Sequence, residues 1–207
     1  MMLYLWFLFC LIIAYLIGSI PTSIWVGQYF YQKDVRQFGS GNPGASNTFR
    51  VLGRKPGTFV LLIDILKGAL ATSLIYFTAF NFDGNIIPWM LLAGFMAVLG
   101  HLYPIFAKFH GGKGVATLLG VILALHPYSA LSALAVFIIL LLTTRHVSVG
   151  SIGAALSYPA ILFWVFQWDE PFLLNFALAM TLLVILTHRS NIKRLIKGQE
   201  SKVNLFG

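Results

Sequence analysis

The amino-acid sequence predicts an all-α, polytopic integral membrane protein with about seven transmembrane helices. Of its 207 residues, 58% are hydrophobic and 10% are charged, whereas soluble proteins average about 45–50% apolar and about 25% charged residues. All of the 14 Lys and Arg residues except Lys67 lie between long apolar runs. Seven spans of about 20 residues would use about two thirds of the chain. We therefore expect a single transmembrane domain over residues 1–207, with no soluble catalytic domain.

The apolar runs define the predicted helices in order. The fourth run has about 14 residues, which rise only about 21 Å as a helix against a hydrocarbon core of about 30 Å. We expect a short helix there, shielded by its neighbours and ended by Pro127. The alternative is a re-entrant hairpin with the fifth run, which would leave five full spans. The runs lie near residues 2–26, 57–80, 86–106, 113–126, 128–144, 149–167 and 171–187.

The distribution of charge predicts the orientation of the chain. If alternate connections share one side of the membrane, all the cation-rich stretches gather on one face, while the opposite loops carry Asp83, Asp169 and Glu170. The positive-inside bias makes the cation-rich face cytoplasmic. The N-terminus is then outside and the C-terminus is cytoplasmic. The four cation-rich stretches are residues 32–56, 107–114, 145–151 and 188–204.

The net charge of +8 indicates anionic membrane lipids as partners. The cations flank apolar runs and form no separate basic face, which argues against nucleic acid. Only Asp34, Asp64 and Glu200 provide carboxylates in or near the cytoplasmic face. A carboxylate-built metal site is therefore not expected, and nothing in the sequence calls for a cofactor. The single Cys10 is expected to be a small core residue.

The segment from Gly39 to Arg50 is the richest in polar and flexible residues. Its glycines, Gly39 and Gly41 among them, allow positive φ angles and bring backbone N–H groups close to an anion. Arg50 would lie one turn into a helix that starts near Ser46, where it could clamp the same anion. The alternative is a flexible loop with a helix cap. The candidate side-chain donors are Ser40, Asn42, Ser46 and Asn47.

A second glycine-rich segment surrounds Lys113 at the start of the short fourth run. Gly112 and Gly114 flank this Lys, so its ammonium group, the free N–H groups and the helix dipole could share one anion. The segment is not a Walker A loop, because Ala107 stands where that motif needs glycine. The alternative role of Lys113 is an interfacial anchor.

Two further polar groups occur at the ends of later apolar runs. Ser148 and Ser151 lie at the start of the sixth run, where small residues would also allow close helix packing. His188 and Asn191 follow the seventh run. A basic stop-transfer segment at the end of a membrane span would explain the neighbouring charges equally well. We expect all four residues to help bind an anionic ligand.

Three ionisable residues lie inside apolar runs or at their ends. Asp64 and Lys67 are spaced i, i+3 and can neutralise each other as an ion pair, although direct contact with substrate is the alternative. His101 could act as a base or as an anion donor, or simply be a hydrogen-bonded histidine at a helix end. No His is followed five residues later by Asp, so the usual acyltransferase base pair is missing.

Several blocks together resemble the bacterial acyl-phosphate:glycerol-3-phosphate acyltransferase family over essentially the whole chain. These blocks are Gly18–Thr22, the 39–50 loop with Arg50, Asp64–Gly68, Gly100–Pro104, Gly111–Thr117 and His188–Ile192. The resemblance implies a seven-span bacterial inner-membrane enzyme with a cytoplasmic active site. It also implies that the enzyme moves an acyl group from acyl phosphate to glycerol 3-phosphate. Among the expected partners we also count the lipid-synthesis machinery.

Two rival classes of function remain at this stage: a membrane transporter of an anionic solute, which would need polar groups accessible from both sides, and a non-enzymatic partner of the lipid-synthesis machinery.

The blocks and the residue chemistry together predict a site. The predicted catalytic residues are Ser40, Arg50, Lys113 and His101. The predicted substrate-binding residues are Gly39, Gly41, Asn42, Ser46, Asn47, Lys67, Gly112, Gly114, Ser148, Ser151, His188 and Asn191.

Overall fold

The computed structural model describes residues 2–77, 84–168 and 170–203. All regular secondary structure in these residues is helical, which confirms the predicted fold class. Asp83 and Asp169, on which the predicted outer loops depend, lie outside the described residues. The α-helices of the described residues are α1 (Met2–Gly18), α2 (Thr22–Tyr31), α3 (Ala45–Leu52), α4 (Arg54–Ser73), α5 (Ile87–Leu102), α6 (Val115–Leu125), α7 (Pro127–Thr144), α8 (Val147–Ala160), α9 (Pro171–Thr187) and α10 (Arg189–Ile196).

Each predicted apolar run contains a helix, but the first run is broken. Helix α1 ends at Gly18 and α2 begins at Thr22, after Pro21. Proline has no N–H to donate and disfavours helical geometry in the residue before it. The two helices meet at an angle of 42°. The chain therefore bends where hydropathy alone predicts one continuous helix.

Length and apolar composition qualify four helical segments of the described residues as membrane spans. They are residues 54–77, 87–107, 127–144 and 147–165, and the number rises to six if each of two bent helix pairs counts as one span. Those pairs are α1 with α2 and α9 with α10. The short fourth helix is confirmed, since α6 has only 11 residues. Whether it crosses the membrane stays a prediction.

The described chain divides into two compact units, of which the first is Met1–Leu125. Helix α4 is central in this unit and packs against α1, α2, α3, α5 and α6. The α4 and α6 backbones approach closely at two glycines. A Cβ atom on Gly68 would meet the carbonyl oxygen of Thr117, and one on Gly120 would meet that of Ile65. Small residues at such positions are a common means of close helix packing in membranes.

The second unit is His126–Gly207. Its helix α8 packs against both α7 and α9. Polar contacts link these neighbours: the hydroxyls of Ser129 and Tyr158, both buried, lie 3.1 Å apart, and Thr181 Oγ1 donates to the carbonyl of Ala155 at 2.7 Å. Helix α10 follows α9 with a 58° bend and carries Asn191.

Candidate active site

The loop before α3 carries the first group of predicted site residues. Gly39 and Gly41 have φ angles of +61° and +72°, in the left-handed region that glycine enters without a Cβ penalty. These angles let the chain turn sharply between the 3₁₀ turn Val35–Gln37 and the start of α3 at Ala45. The side chain of Ser40, between the two glycines, is exposed to a ligand.

Helix α3 carries three more predicted residues and begins within one residue of the expected start. Ser46 and Arg50 are both exposed, and their i, i+4 spacing places them on one side of the helix. Asn47 differs, because it is only 1% exposed. Its side-chain oxygen accepts a hydrogen bond from the backbone N–H of Ser40 at 2.9 Å. The amide of Asn47 is thus used within the loop itself.

The acid nearest this loop is neutralised by its own neighbour. Asp34 accepts hydrogen bonds from the guanidinium of Arg36, with Nη2 2.6 Å from Oδ2 and Nε 3.0 Å from Oδ1. Hydrogen bonding from Arg36 holds the pKa of Asp34 below its ordinary value. The carboxylate therefore stays ionised with its charge compensated, which lessens its repulsion of an anionic substrate.

The second glycine-rich loop joins α5 to α6. The N–H groups of Gly111 and Gly112 donate to the carbonyls of Leu102 and His101, each at 3.1 Å, so the loop is tied to the end of α5. Gly114 has a φ angle of +82°, and α6 begins immediately after it. Lys113 is half-buried just before the helix N-terminus. This is the location that the sequence predicts for it.

The two loops line a common groove. Among the predicted residues, Gly41 and Asn42 from the first loop lie in it, next to Gly111 and Lys108 of the second. A smaller cavity below adjoins it, since Pro43 and Gly111 line both. Loops that are more than 60 residues apart in the sequence therefore form one surface. The cations Arg36 and Lys108 line this surface, and positive charge favours the binding of an anion.

A buried polar cluster lies in the smaller cavity. Asp64 Oδ1 is 2.9 Å from Lys67 Nζ, which confirms the expected ion pair, and it accepts from Thr22 Oγ1 at 3.2 Å. Lys67 Nζ also donates to the carbonyl of Ile20 at 3.1 Å. Both charged side chains are below 5% exposure. Two opposite charges with further hydrogen bonds make this burial tolerable in a low-dielectric interior.

His101 lies between this cluster and the second glycine loop. Its Nδ1 is 3.8 Å from Asp64 Oδ1, beyond hydrogen-bond range, and finds no hydrogen-bond partner among the described residues. Its Nε2 faces Gly112, where an added Cβ atom would collide with the ring. His101 is 7% exposed. The histidine therefore supports the loop from beneath.

In the second unit, two predicted residues converge on one carboxylate. Glu200 Oε1 accepts from Ser148 Oγ at 2.9 Å and from Asn191 Nδ2 at 2.6 Å, while Glu200 Oε2 accepts from Arg194 Nε at 2.7 Å. Burial alone would raise the pKa of Glu200, but these donors outweigh it and hold the pKa below its ordinary value. Ser148 and Asn191, which the sequence assigns to a ligand anion, thus donate to a carboxylate of the protein itself.

The other two predicted residues of this unit are also buried and make local contacts. Ser151 Oγ donates to the carbonyl of Val147 at 2.9 Å. His188 Nδ1 lies 2.8 Å from the carbonyl of Val184. A carbonyl only accepts, so Nδ1 carries the proton and Nε2 of a neutral ring is the acceptor. These contacts fix the orientation of both side chains.

Glu200 makes clear structural contacts, although the sequence gave it no role. It contacts side chains 52 and 9 residues away in the chain, a separation that no local pattern reveals. The available signal was that Glu200 is the single acid in a C-terminal stretch of five cations.

As for metals, the described residues contain no group of three or more His, Cys, Asp or Glu that could hold an ion.

Comparison with known proteins decides the family. The family model for glycerol-3-phosphate acyltransferase matches residues 8–198. The chain belongs to this family. Among its curated relatives, a glycerol-3-phosphate acyltransferase of Listeria monocytogenes is 46% identical over 192 residues, covering 93% of this chain and 94% of the relative. One of Enterococcus faecalis is 46% identical over 208 residues, covering 95% and 91%.

Solved structures agree with this membership. The crystal structure of PlsY (YgiH), an integral membrane glycerol 3-phosphate acyltransferase, in its glycerol 3-phosphate form has a TM-score of 0.86 and 38% identity over 97% of this chain and 99% of that one. The lysophosphatidic acid form has a TM-score of 0.83 and 37% identity, covering 96% and 95%. This acyltransferase is accordingly an integral membrane protein.

Proposed function

We propose that this protein transfers a fatty acyl group from acyl phosphate to glycerol 3-phosphate, giving lysophosphatidic acid and inorganic phosphate for phospholipid synthesis. The observation that carries the proposal is the groove lined by both glycine-rich loops, in a chain that belongs to the glycerol-3-phosphate acyltransferase family. The names of the relatives supply the acceptor, and the ligand of one solved relative supplies the product.

The donor is proposed from the chemistry of the site. Acyl phosphate is a mixed anhydride and is already activated, so positioning and charge stabilisation can provide the catalysis. Ser40, Arg50 and Lys113 bind phosphate oxygens and stabilise the negative charge that develops on the acyl carbonyl. Such a site does without the His and Asp pair that is missing from the sequence.

The reaction balances without a protein base. The glycerol hydroxyl oxygen attacks the acyl carbonyl carbon, a new ester bond forms, and the bond from this carbon to the phosphate oxygen breaks. Inorganic phosphate leaves with the electron pair of that bond. A phosphate oxygen of the donor accepts the hydroxyl proton. The competing acceptor is His101, but its burial beneath Gly112 favours the phosphate.

The proposed location is the bacterial inner membrane, and the proposed partners are substrates and other enzymes of lipid synthesis. The bacterial relatives support a location in the bacterial inner membrane. The positive-inside bias supports an N-terminus outside and an active site that faces the cytoplasm. In the second unit, Ser148, Ser151, His188 and Asn191 are proposed to bind substrate. A product that remains in the membrane also favours contact with other enzymes of lipid synthesis.

Purified protein in detergent provides the test. Supplied with acyl phosphate and glycerol 3-phosphate, it should release inorganic phosphate and form lysophosphatidic acid, and phosphate release should stop when glycerol 3-phosphate is omitted. Efficient turnover with acyl-CoA instead of acyl phosphate would overturn the donor assignment. Binding of glycerol 3-phosphate without any turnover would favour a transporter.

Direct transfer also predicts that no covalent acyl-enzyme forms. The only thiol, Cys10, is buried in α1 among apolar side chains, where a thiolate is disfavoured. Cys10→Ser should therefore leave turnover nearly unchanged. Mass spectrometry of protein incubated with acyl phosphate alone should find the unmodified mass. A stoichiometric acyl adduct that glycerol 3-phosphate removes would contradict direct transfer.

A further inference from the structure

The amide of Asn47 ties helix α3 to the loop that carries Ser40. Its Oδ1 accepts from the N–H of Ser40 at 2.9 Å, while its Nδ2 donates to the carbonyls of Val35 at 2.8 Å and Phe38 at 3.1 Å. Both hydrogens of the amide nitrogen are thereby used. With 1% exposure, Asn47 has neither a free donor nor an open side from which to contact a substrate.

The same contacts determine where Ser40 stands. Gly39 adopts its positive φ angle directly against this amide, and a Cβ atom at Gly39 would collide with Asn47 Oδ1. The loop is therefore held at its start, at its turn and next to its exposed serine by one side chain. Because Asn47 belongs to α3, it also sets the loop relative to Arg50 on that helix.

We propose that Asn47 is a positioning residue, which holds Ser40 and Arg50 in register for one substrate phosphate and does not bind that phosphate itself. This inference rests on the proposed function and deepens it. It replaces the direct substrate contact that the sequence predicts for Asn47. A rigid support of this kind matters because a misplacement of about 1 Å can cost about 100-fold in rate.

A double-mutant cycle between Asn47 and Ser40 provides the test. Ser40→Ala should lower kcat/KM by about tenfold, as expected for a lost hydrogen bond to a charged group. Asn47→Ala should lower it by at least about tenfold, because Ser40 moves with the loop. If Asn47 acts through Ser40, the double variant should be within about threefold of Asn47→Ala, whereas independent effects would multiply to about 100-fold.

The Asn47→Asp variant tests whether the two N–H donors of the Asn47 amide are needed to hold the loop. The aspartate keeps an acceptor for the Ser40 N–H but turns an oxygen toward the carbonyls of Val35 and Phe38. Two acceptors then face each other, so Asn47→Asp should lose at least as much kcat/KM as Asn47→Ala. Wild-type kcat/KM in purified Asn47→Asp would overturn the inference.

Thr72→Val is the matched control. It removes another fully buried hydrogen bond of the first unit, from Thr72 Oγ1 to the carbonyl of Gly68 at 2.9 Å. Any loss of kcat/KM that it causes should multiply with that of Ser40→Ala. If Thr72→Val were coupled to Ser40→Ala as strongly as Asn47→Ala is, Asn47 would be a general structural residue and the proposal would be overturned. Multiplicative losses from Asn47→Ala and Ser40→Ala would overturn it as well.

Folding failures and failures of the proposed function are distinguishable. If Asn47→Ala does not accumulate as folded protein, Gly39→Ala takes its place in the cycle, because a Cβ atom at Gly39 displaces the Asn47 amide from the opposite side. Coupled losses with Ser40→Ala would again support the inference, and multiplicative losses would overturn it. Full activity of Ser40→Ala would also overturn the inference, since nothing would remain to be positioned. No turnover by the wild-type protein would instead refute the proposed function and this inference with it.

Discussion

The cations of the first unit stand in different environments. Lys67 is buried and paired with Asp64, and Arg36 is paired with Asp34. Arg50 is exposed on α3 beside the first glycine loop, and Lys113 is half-buried immediately before α6. The first two cations neutralise acids of the protein itself. Arg50 and Lys113 belong to the segments that hold the two glycine-rich loops, and their proposed role is to bind a substrate phosphate.

This difference predicts the effect of removing each of the last two cations. Arg50→Ala and Lys113→Ala should each reduce acyl transfer by at least about tenfold, because a charged hydrogen bond to a phosphate is worth about 1.5–3 kcal/mol. The assay is phosphate release by purified protein. Lys55→Ala, at an exposed position near the start of α4, is the matched control and should retain activity. Full activity of either variant would make that residue a lipid anchor only.

How much of the site the sequence predicts depends on the residue. Positive φ angles at Gly39, Gly41 and Gly114 follow from glycine-rich composition beside a helix start, so both loops were predictable. The inward orientation of Asn47 was not, because composition cannot tell which of several neighbouring amides folds into a loop. Glu200 was missed for a related reason: its donors come together only in the folded chain.

At the scale of elements, the close approach of α4 and α6 positions Lys113. Helix α6 begins at the second glycine loop, and α4 carries the buried Asp64 and Lys67. Their backbones meet at Gly68 and Gly120. A side chain at either glycine must push one helix away from the other, and the loop would move with α6.

Gly68→Ala should therefore destabilise the protein and impair turnover. A Cβ atom there meets the backbone of Thr117, which cannot rotate away, so we expect a loss of about 1–3 kcal/mol from overpacking. Thermal unfolding in detergent, followed by acyl-transfer assay of the folded fraction, would measure both effects. Leu70→Ala, an exposed site on the same helix, should change neither. An unchanged melting temperature for Gly68→Ala would contradict the packing.

The contacts of Glu200 predict a pH-dependent element in the second unit. Its pKa in the folded protein lies below the ordinary value of 4.5, so the stability it contributes is present above that value and is lost as the pH falls toward the folded pKa. Glu200→Gln should lower the melting temperature at neutral pH. The difference from wild type should stay constant from about pH 7 to about pH 5.5 and should shrink as the pH falls below about 4.5. A difference independent of pH would show that the charge of Glu200 contributes nothing.

At the scale of the whole molecule, hydropathy predicted the helical class and an apolar helix in each of the seven runs, but not the break within the first run. The break after Gly18 follows from Pro21, which was visible in the sequence. The 58° bend between α9 and α10 lies at residue 188, directly after the last apolar run. The predicted membrane orientation rests on the distribution of charge between the loops.

Orientation therefore has its own test, in a Cys10→Ala background. Single cysteines at positions 83 and 169, which lie outside the described residues, should react with a membrane-impermeant thiol reagent applied to intact cells, since these loops are predicted to face outward. Cysteines at positions 54, 110 and 197 are at exposed sites and should react only after the membrane is opened. That second step shows that a lack of labelling reflects sidedness and not burial. Labelling of position 54 or 110 in intact cells would place a glycine-rich loop region outside, and a cytoplasmic active site would then be wrong.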